Sequence, residues 1–271
     1  MPELPEVETI CCDLQVLIGQ KIEEAKIFDD KLLPDLDKHF FNKEMAGRSV
    51  SKIFRRGKYF IVEIKPALTS PQYLIIHLRM TGQLVLDKLL SSARMAIRFS
   101  SSEWLNFIDQ RRFGTVELVD HWQELPAIKA MGPEPFSEEF DWNFLKKNFA
   151  NRKTQIKALL IDQKFMAGIG NIYAQEALFL AGIKPQRSAQ SLLDEELKKL
   201  VKSIKYVLEK AIKYRGSSID NYVDGYGNPG EAHLHHFVYS RGGKPCHRCE
   251  KILQELRISG RGTVFCPHCQ K

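Results

Sequence analysis

Apolar residues along the chain follow three successive rhythms. From Glu6 to Gly19, Val7, Ile10, Leu14, Leu17 and Ile18 recur at helical spacing and the run stops at a glycine, which predicts a leading helix. Pro5 suits the first position of that helix and pushes Leu4 toward an extended conformation. Residues 21–120 read mainly as strands. Tyr59–Ile64, Gln72–Leu78, Ala93–Phe99 and Trp104–Ile108 are short, rich in β-formers and separated by turn residues. Such density of strands argues for a sandwich or a barrel. Gly132-Pro133-Glu134-Pro135 breaks the pattern and is the best linker candidate.

Beyond that break the period becomes helical. Asp141–Phe149, Lys153–Asp162 and Asn171–Ala181 are followed by Leu192–Tyr214, whose Leu193, Leu197, Leu200, Ile204, Leu208 and Ile212 lie along one side. Residues 216–237 carry four glycines and Pro229, which predicts a long mobile loop of the kind that is functional or disordered. A metal site from His233, His235 and His236 finds no evident fourth ligand, so these read as solvated side chains.

Composition narrows the class. No apolar run approaches a membrane span, and the acidic start lacks the basic region of a signal peptide, so a soluble cytoplasmic protein is expected. The net charge of +7 suggests a polyanionic partner without specifying chemistry. Cys11 and Cys12 are neighbours in the leading helix and read as reduced thiols, at least one of them packed.

The sharpest motif is at the C-terminal end. Cys246-x2-Cys249, sixteen residues, then Cys266-x2-Cys269 fits the spacing of one structural four-cysteine zinc ion. Between the pairs, Ile252–Ile258 and Thr263–Phe265 flank Ser259-Gly260-Arg261-Gly262, which reads as a β-hairpin turn. Residues 241–271 hold seven Lys/Arg against Glu250 and Glu255, and a basic hairpin with Arg261 at its tip suits phosphate contact.

Pro2 is the candidate nucleophile. Removal of Met1 before so small a residue would leave a secondary amine able to attack an aldehyde-like carbon and form an iminium. Such an amine works only when neutral, and an α-amino group, with a pKa of about 8, is nearer that state than lysine at neutral pH. The helix dipole disfavours a charged amine there, whereas Glu3, Glu6 and Glu8 favour one. An ordinary acidic helix start accounts for the same nine residues.

Taken in order, the motifs resemble the bacterial formamidopyrimidine-DNA glycosylases along the whole chain. The likeness rests on Pro2-Glu3-Leu4-Pro5-Glu6-Val7-Glu8, Arg55-Arg56-Gly57-Lys58-Tyr59, His77-Leu78-Arg79-Met80, Asp109-x-Arg111-Arg112-Phe113-Gly114 and Gly132-Pro133-Glu134-Pro135. It continues through Ile156-Lys157, Ala167-Gly168-Ile169-Gly170-Asn171-Ile172-Tyr173, Gly260-Arg261-Gly262-Thr263 and the zinc knuckles. Leu4 favours the purine branch, since the related endonuclease-type branch has glycine there.

The resemblance implies an α+β multidomain fold. Residues 1–131 would form an N-terminal β-sandwich catalytic domain with its leading helix, and residues 132–137 a hinge. Residues 138–237 would form a helix–two-turn–helix domain including a lesion loop at 216–237, and residues 238–271 a zinc finger. It implies a monomer on damaged double-stranded DNA, excising oxidised purines such as 8-oxoguanine and formamidopyrimidines. Pro2 would form a Schiff base at the deoxyribose C1′ with Glu3 as acid; β-elimination with Lys58 and δ-elimination with Arg261 would follow. For Arg261, phosphate clamping is the sounder role, because a guanidinium is a poor proton donor.

Met80, Arg111 and Phe113 are the implied fillers of the vacated base stack, although Met80 and Phe113 would also suit a core. His77, Arg152, Lys157, Asn171 and Tyr239 match positions near the DNA backbone; His77 equally suits a satisfied strand histidine. The sequence departs from the family at Cys11 and Cys12, where two arginines are usual, and at Gln175, where an acid is common. Ser92-Ala93-Arg94 stands for the usual His-x-His, so a DNA contact there passes to Arg94 or is lost. The segment before Tyr239 reads His233-Leu234-His235-His236-Phe237, also off-pattern. A non-catalytic, zinc-dependent DNA-binding protein is the alternative from another class, and a preference for oxidised pyrimidines is the alternative within it.

Overall fold

Helix α1 spans Leu4–Asp13 and passes into a 3-10 turn at Leu14–Leu17. It starts one residue earlier than expected, because the extended conformation falls on Glu3, the N-cap, and not on Leu4. Pro5 sits in the first turn, where its missing N–H costs no intrahelical bond. Val7, Ile10, Leu14 and Leu17 are buried, whereas Ile18 lies beyond the stripe and is exposed.

The computed structural model describes residues 1–33, 37–65 and 71–271. They form two compact units, Met1–Lys129 with Ile212–His233, and Ala130–Ala211 with Leu234–Lys271. In the first unit the elements after α1 are β1 (Ile22–Ile27), α2 (Lys38–Met45), β2 (Ser49–Arg56), β3 (Tyr59–Lys65), β4 (Gln72–His77), β5 (Gly82–Asp87), β6 (Ala93–Phe99), β7 (Trp104–Asp109), β8 (Thr115–Val119) and α3 (Pro126–Lys129). Helix α2 interrupts a stretch expected to be mainly strand. Asp37 caps it by accepting the N–H groups of His39 and Phe40, and Phe41 and Met45, four apart, fill its buried face.

The eight strands make two antiparallel sheets, ordered β1-β6-β7-β5 and β2-β3-β4-β8. Phe60, Val62, Ile64, Leu74, Ile76 and Val116 of one sheet share a core with Leu84, Leu86, Met95, Ile97, Leu105 and Phe107 of the other. Period-two alternation turns these residues to a common layer, which makes the unit a β-sandwich. The apolar stripe of α1 joins the same core.

The second unit holds α4 (Trp142–Phe149), α5 (Ile156–Leu160), α6 (Asn171–Ala181), most of α7 (Asp194–Lys213), and the hairpin β9 (Gln254–Ile258) and β10 (Arg261–Phe265). The Gly132–Pro135 segment is held within this unit: Gly132 N–H donates to the Gln163 carbonyl at 2.9 Å and Ala167 N–H to the Pro133 carbonyl at 3.0 Å. Any side chain at Gly132 would run into the Phe165 backbone, so glycine serves close approach there. Among the described residues no helix is long and apolar enough to cross a membrane.

Candidate functional site

The chain start is fastened by its own second turn. The Glu6 carboxylate accepts the Glu3 N–H at 2.7 Å, and the Glu3 side chain caps the N–H of Glu6 in return. Pro2 is buried and Glu3 is 2% exposed, whereas Met1 is 39% exposed. Lys58 lies in the turn between β2 and β3, after Gly57 at a φ of 57°, and is also buried. Beside it Arg55 Nε donates to Glu8 at 2.6 Å, so one of the three early acids is neutralised. Cys11 is buried and Cys12 exposed. Burial raises the Cys11 thiol well above its usual range and partial desolvation raises that of Cys12, and the Glu8 carboxylate adds to both.

Residues 214–230 are irregular, but they are bonded to α1 and do not hang free. Ser217 N–H donates to the other Glu6 oxygen at 2.9 Å, Gly225 N–H to Asp13 at 3.0 Å and Tyr226 Oη–H to the Asp13 carbonyl at 3.2 Å. Arg215 bridges Asp13 and Asp224 at 2.7 and 2.5 Å. Sequence reasoning missed this role of Glu6. Its signal was its position three residues after Glu3.

The expected stack-filling residues lie at two neighbouring turns. Met80 and Phe113 are 43% and 54% exposed, which excludes the core reading of both. Arg111 is exposed as well, its guanidinium 5.1 Å from the centre of the Phe113 ring. One acid organises both turns: Asp109 accepts the Thr81 hydroxyl on one oxygen and the Gly114 N–H at 2.7 Å on the other, while Thr81 Oγ1 accepts the Arg111 N–H at 3.1 Å. Asp109 stood in the sequence motif without a role.

Two residues expected to contact DNA are buried in this unit. Arg94 is 6% exposed, and Asp29 and Asp109 hold its guanidinium, so it does not replace the missing His-x-His on the surface. His77 is 8% exposed at the end of β4, its Nδ1 accepting the Arg79 N–H at 3.0 Å and its ring edge-on to Tyr59. Burial, with Arg79 and Lys58 nearby, pushes its imidazole down to about 3. Its Nδ1 is thus engaged within the chain and its ring is uncharged.

In the second unit Lys157 is fully buried. Its Nζ donates to Asn171 Oδ1 and Thr263 Oγ1, each at 2.6 Å, and to the Gly262 carbonyl at 3.4 Å. The ammonium thus ties α5 and α6 to the hairpin instead of pointing at solvent. Gln175, a departure from the family, accepts the Val264 N–H at 2.6 Å and donates to the Gly262 carbonyl at 3.3 Å. An amide does both; a carboxylate would only accept. Arg152 and Arg261 are exposed, and Tyr239 is half-buried with its N–H donated to Glu176 at 2.9 Å.

The four cysteine Sγ atoms lie within 4.8 Å of one another, with Cys246–Cys269 at 3.9 Å and Cys249–Cys266 at 3.5 Å. Zinc–sulfur bonds of about 2.3 Å in a tetrahedron give sulfur–sulfur edges of about 3.8 Å, so the donor set fits. Arg248 N–H and Cys269 N–H donate to Cys246 and Cys266 Sγ at 3.4 and 3.3 Å, the outer-shell bonds that stabilise thiolates. Cys246, Cys249, Cys266 and Cys269 hold one structural zinc.

The β-sandwich entered through Pro2, the helical unit and the four-cysteine hairpin each match a part of the zinc-finger DNA-repair glycosylases. The model of the formamidopyrimidine-DNA glycosylase N-terminal domain matches residues 1–116, that of its H2TH domain residues 131–223, and that of a zinc finger found in FPG and IleRS residues 243–271. The formamidopyrimidine-DNA glycosylase of Desulforamulus reducens is 40% identical over 279 residues, covering 100% of this chain and 99% of its own. Two Lactococcus lactis structures also cover 100% of both chains at 36% identity. They are a point mutant of Fpg with Fapy-dG-containing DNA, at a TM-score of 0.90, and a wild-type Fpg with oxidised-pyrimidine-containing DNA, at 0.89. The chain belongs to the formamidopyrimidine-DNA glycosylase family.

Proposed function

We propose that the protein excises oxidised purines from duplex DNA through a covalent bond to Pro2 and then nicks the strand. The observation that carries this reading is the fixed, buried Pro2–Glu3 pair behind an exposed Met1. An aminopeptidase can reach Met1, and its removal frees a secondary amine held in place by the Glu3–Glu6 bonds.

The base must first leave the stack, at a cost of a few kcal/mol. Met80, Arg111 and Phe113 suit the gap, since a flexible thioether, a planar cation and a ring can stack or pair with an orphaned base. Pro2 nitrogen then attacks C1′ as the base departs, and Glu3 gives a proton to the ring oxygen as the sugar opens. Loss of a C2′ proton, with Lys58 the candidate to take it up, expels the 3′ phosphate; loss of a C4′ proton expels the 5′ phosphate in a second elimination, and water releases the sugar remnant from Pro2. Arg261 and Arg152, both exposed cations, suit phosphate oxygens in this scheme. The Lactococcus lactis Fpg structure with oxidised-pyrimidine-containing DNA favours a broader lesion range as a second reading.

The test is borohydride trapping on a duplex with a single 8-oxoguanine opposite cytosine, with intact mass confirming loss of Met1. The parental protein is expected to give a covalent adduct and strand scission, and Pro2→Gly neither. Trapping and scission by Pro2→Gly at the parental rate would overturn the mechanism. Parallel rates on a thymine glycol duplex rank the lesions.

A further inference from the structure

Arg111 and Arg112 are neighbours with the same side chain, yet the fold treats them differently. The Arg111 guanidinium is over Phe113, whereas the Arg112 fork closes on Asp29, Nε to Oδ2 at 2.8 Å and Nη2 to Oδ1 at 2.6 Å. Arg112 has a φ of 59°, a left-handed conformation that a bulky residue adopts only when its surroundings impose it. Its N–H donates to the Asp109 carbonyl at 3.3 Å.

Asp29 also reaches the other end of the turn. Its Oδ2 accepts Arg94 Nε at 2.7 Å, and Arg94 Nη1 donates to Asp109 Oδ2 at 3.3 Å, the oxygen that accepts the Gly114 N–H. Side-chain exposures of 7%, 9% and 0% for Arg94, Asp29 and Asp109 place these pairs away from water, where each is strongly directional. Among the described residues Arg94 Nη2 is buried without a hydrogen-bond partner, so the guanidinium is held there by Asp29 and Asp109.

We infer that Asp29 and Arg94 are positioning residues for the turn 110–114: Asp29 tethers Arg112, and Arg94 braces Asp109, so that Arg111 rather than its neighbour is presented with Phe113. The inference rests on the reading of Met80, Arg111 and Phe113 as the side chains that fill the vacated stack. It gives Arg94, where the family's usual His-x-His is absent, a task inside the domain. Removing the tether leaves two chemically equivalent arginines competing for the orphaned base, which erodes opposite-base discrimination more than the chemistry at Pro2.

The test compares Asp29→Asn, which keeps the shape and loses the charge, with the parental full-length protein. For 8-oxoguanine excision, kcat/KM opposite cytosine is expected to fall about tenfold, since small misplacements near a reacting centre cost up to about a hundredfold. The cytosine-over-adenine ratio shrinks several-fold. Borohydride trapping on a single-stranded oligonucleotide with a preformed abasic site, which has no orphaned base, stays at the parental level. Asp29→Glu, which restores the charge at a longer reach, recovers part of the ratio and serves as the test variant should Asp29→Asn not fold.

Parental excision and discrimination in the variant that folds would overturn the inference. Equal loss of single-stranded trapping would do the same, by showing a general structural defect. A parental protein that does not trap removes the glycosylase reading and this inference with it, and that result is distinct because it appears before any variant is made.

Discussion

Glu6 and Ser217, 211 positions apart, are joined by a 2.9 Å hydrogen bond from the Ser217 N–H to the Glu6 carboxylate, whose other oxygen holds the Glu3 N–H at 2.7 Å. Both donors are buried and both need an acceptor. Glu6→Gln offers one oxygen and one amide nitrogen, so one N–H then faces another donor. The expected loss is about 1–3 kcal/mol of stability in urea unfolding, with slower trapping because the peptide after Pro2 is less constrained. Unchanged stability and trapping rate would show that the bridge contributes nothing.

Acid acts on the fold through His77. Its imidazole is held down to about 3 by burial, whereas an unfolded histidine protonates near about 6.5. Between those values the unfolded chain binds the extra proton, so the stability present above pH ~6.5 is lost as pH falls. The slope is at most about 1.4 kcal/mol per pH unit. Asp29, held well below the usual carboxylate range by Arg112 and then Arg94, adds a loss of the same sign only below about pH 4. Denaturant unfolding at pH 7 and pH 5 is expected to show a larger loss for the parental protein than for His77→Gln. Equal losses would mean that His77 titrates normally.

Gly114 is fixed by space. A Cβ there would sit 2.5 Å from Phe107 Cζ and 3.1 Å from Asp109 Oδ2, and the Phe107 ring is fully buried. Gly114→Ala is expected to cost about 1–3 kcal/mol, as overpacking of a rigid core does. It also pushes against Asp109, so excision from duplex falls further than trapping on a single strand.

The zinc hairpin is expected to be metal-dependent. Cys249→Ser removes one thiolate from a set whose binding energy is about 10–16 kcal/mol in zinc-finger peptides. One zinc per parental chain by atomic absorption, less than that in the variant, and salt-sensitive DNA binding lost with the metal are the expected results. Full zinc occupancy in the variant would contradict the assigned ligand set.

Periodicity and punctuation made much of this fold legible. Strands β3, β4, β6 and β7 and helix α6 fall within a residue of their sequence bounds, since alternation and helical spacing are local signals. Helix α2 was not legible, because its Asp37 cap and two apolar residues lie inside a strand-rich stretch. The cysteine set was fully legible, spacing being all that a tetrahedral site needs. Charge roles were the least legible: Arg94 and Lys157 look like surface cations in sequence, and only long-range partners, Asp29, Asp109, Asn171 and Thr263, show them turned inward. Glu6 and Asp109 were hidden for the same reason, as acceptors for backbone groups far away in the chain.

The unit that begins at Met1 is not contiguous in the chain; it recruits Ile212–His233, and α7 crosses from one unit into the other. A gene fragment stopping at residue 131 would encode the entire sandwich and still leave Asp13 and Glu6 without Arg215 and Ser217. During synthesis the bonding partners of the chain start therefore wait on the ribosome until most of the polypeptide has emerged. Dissection into separately produced halves has to return the later segment in trans.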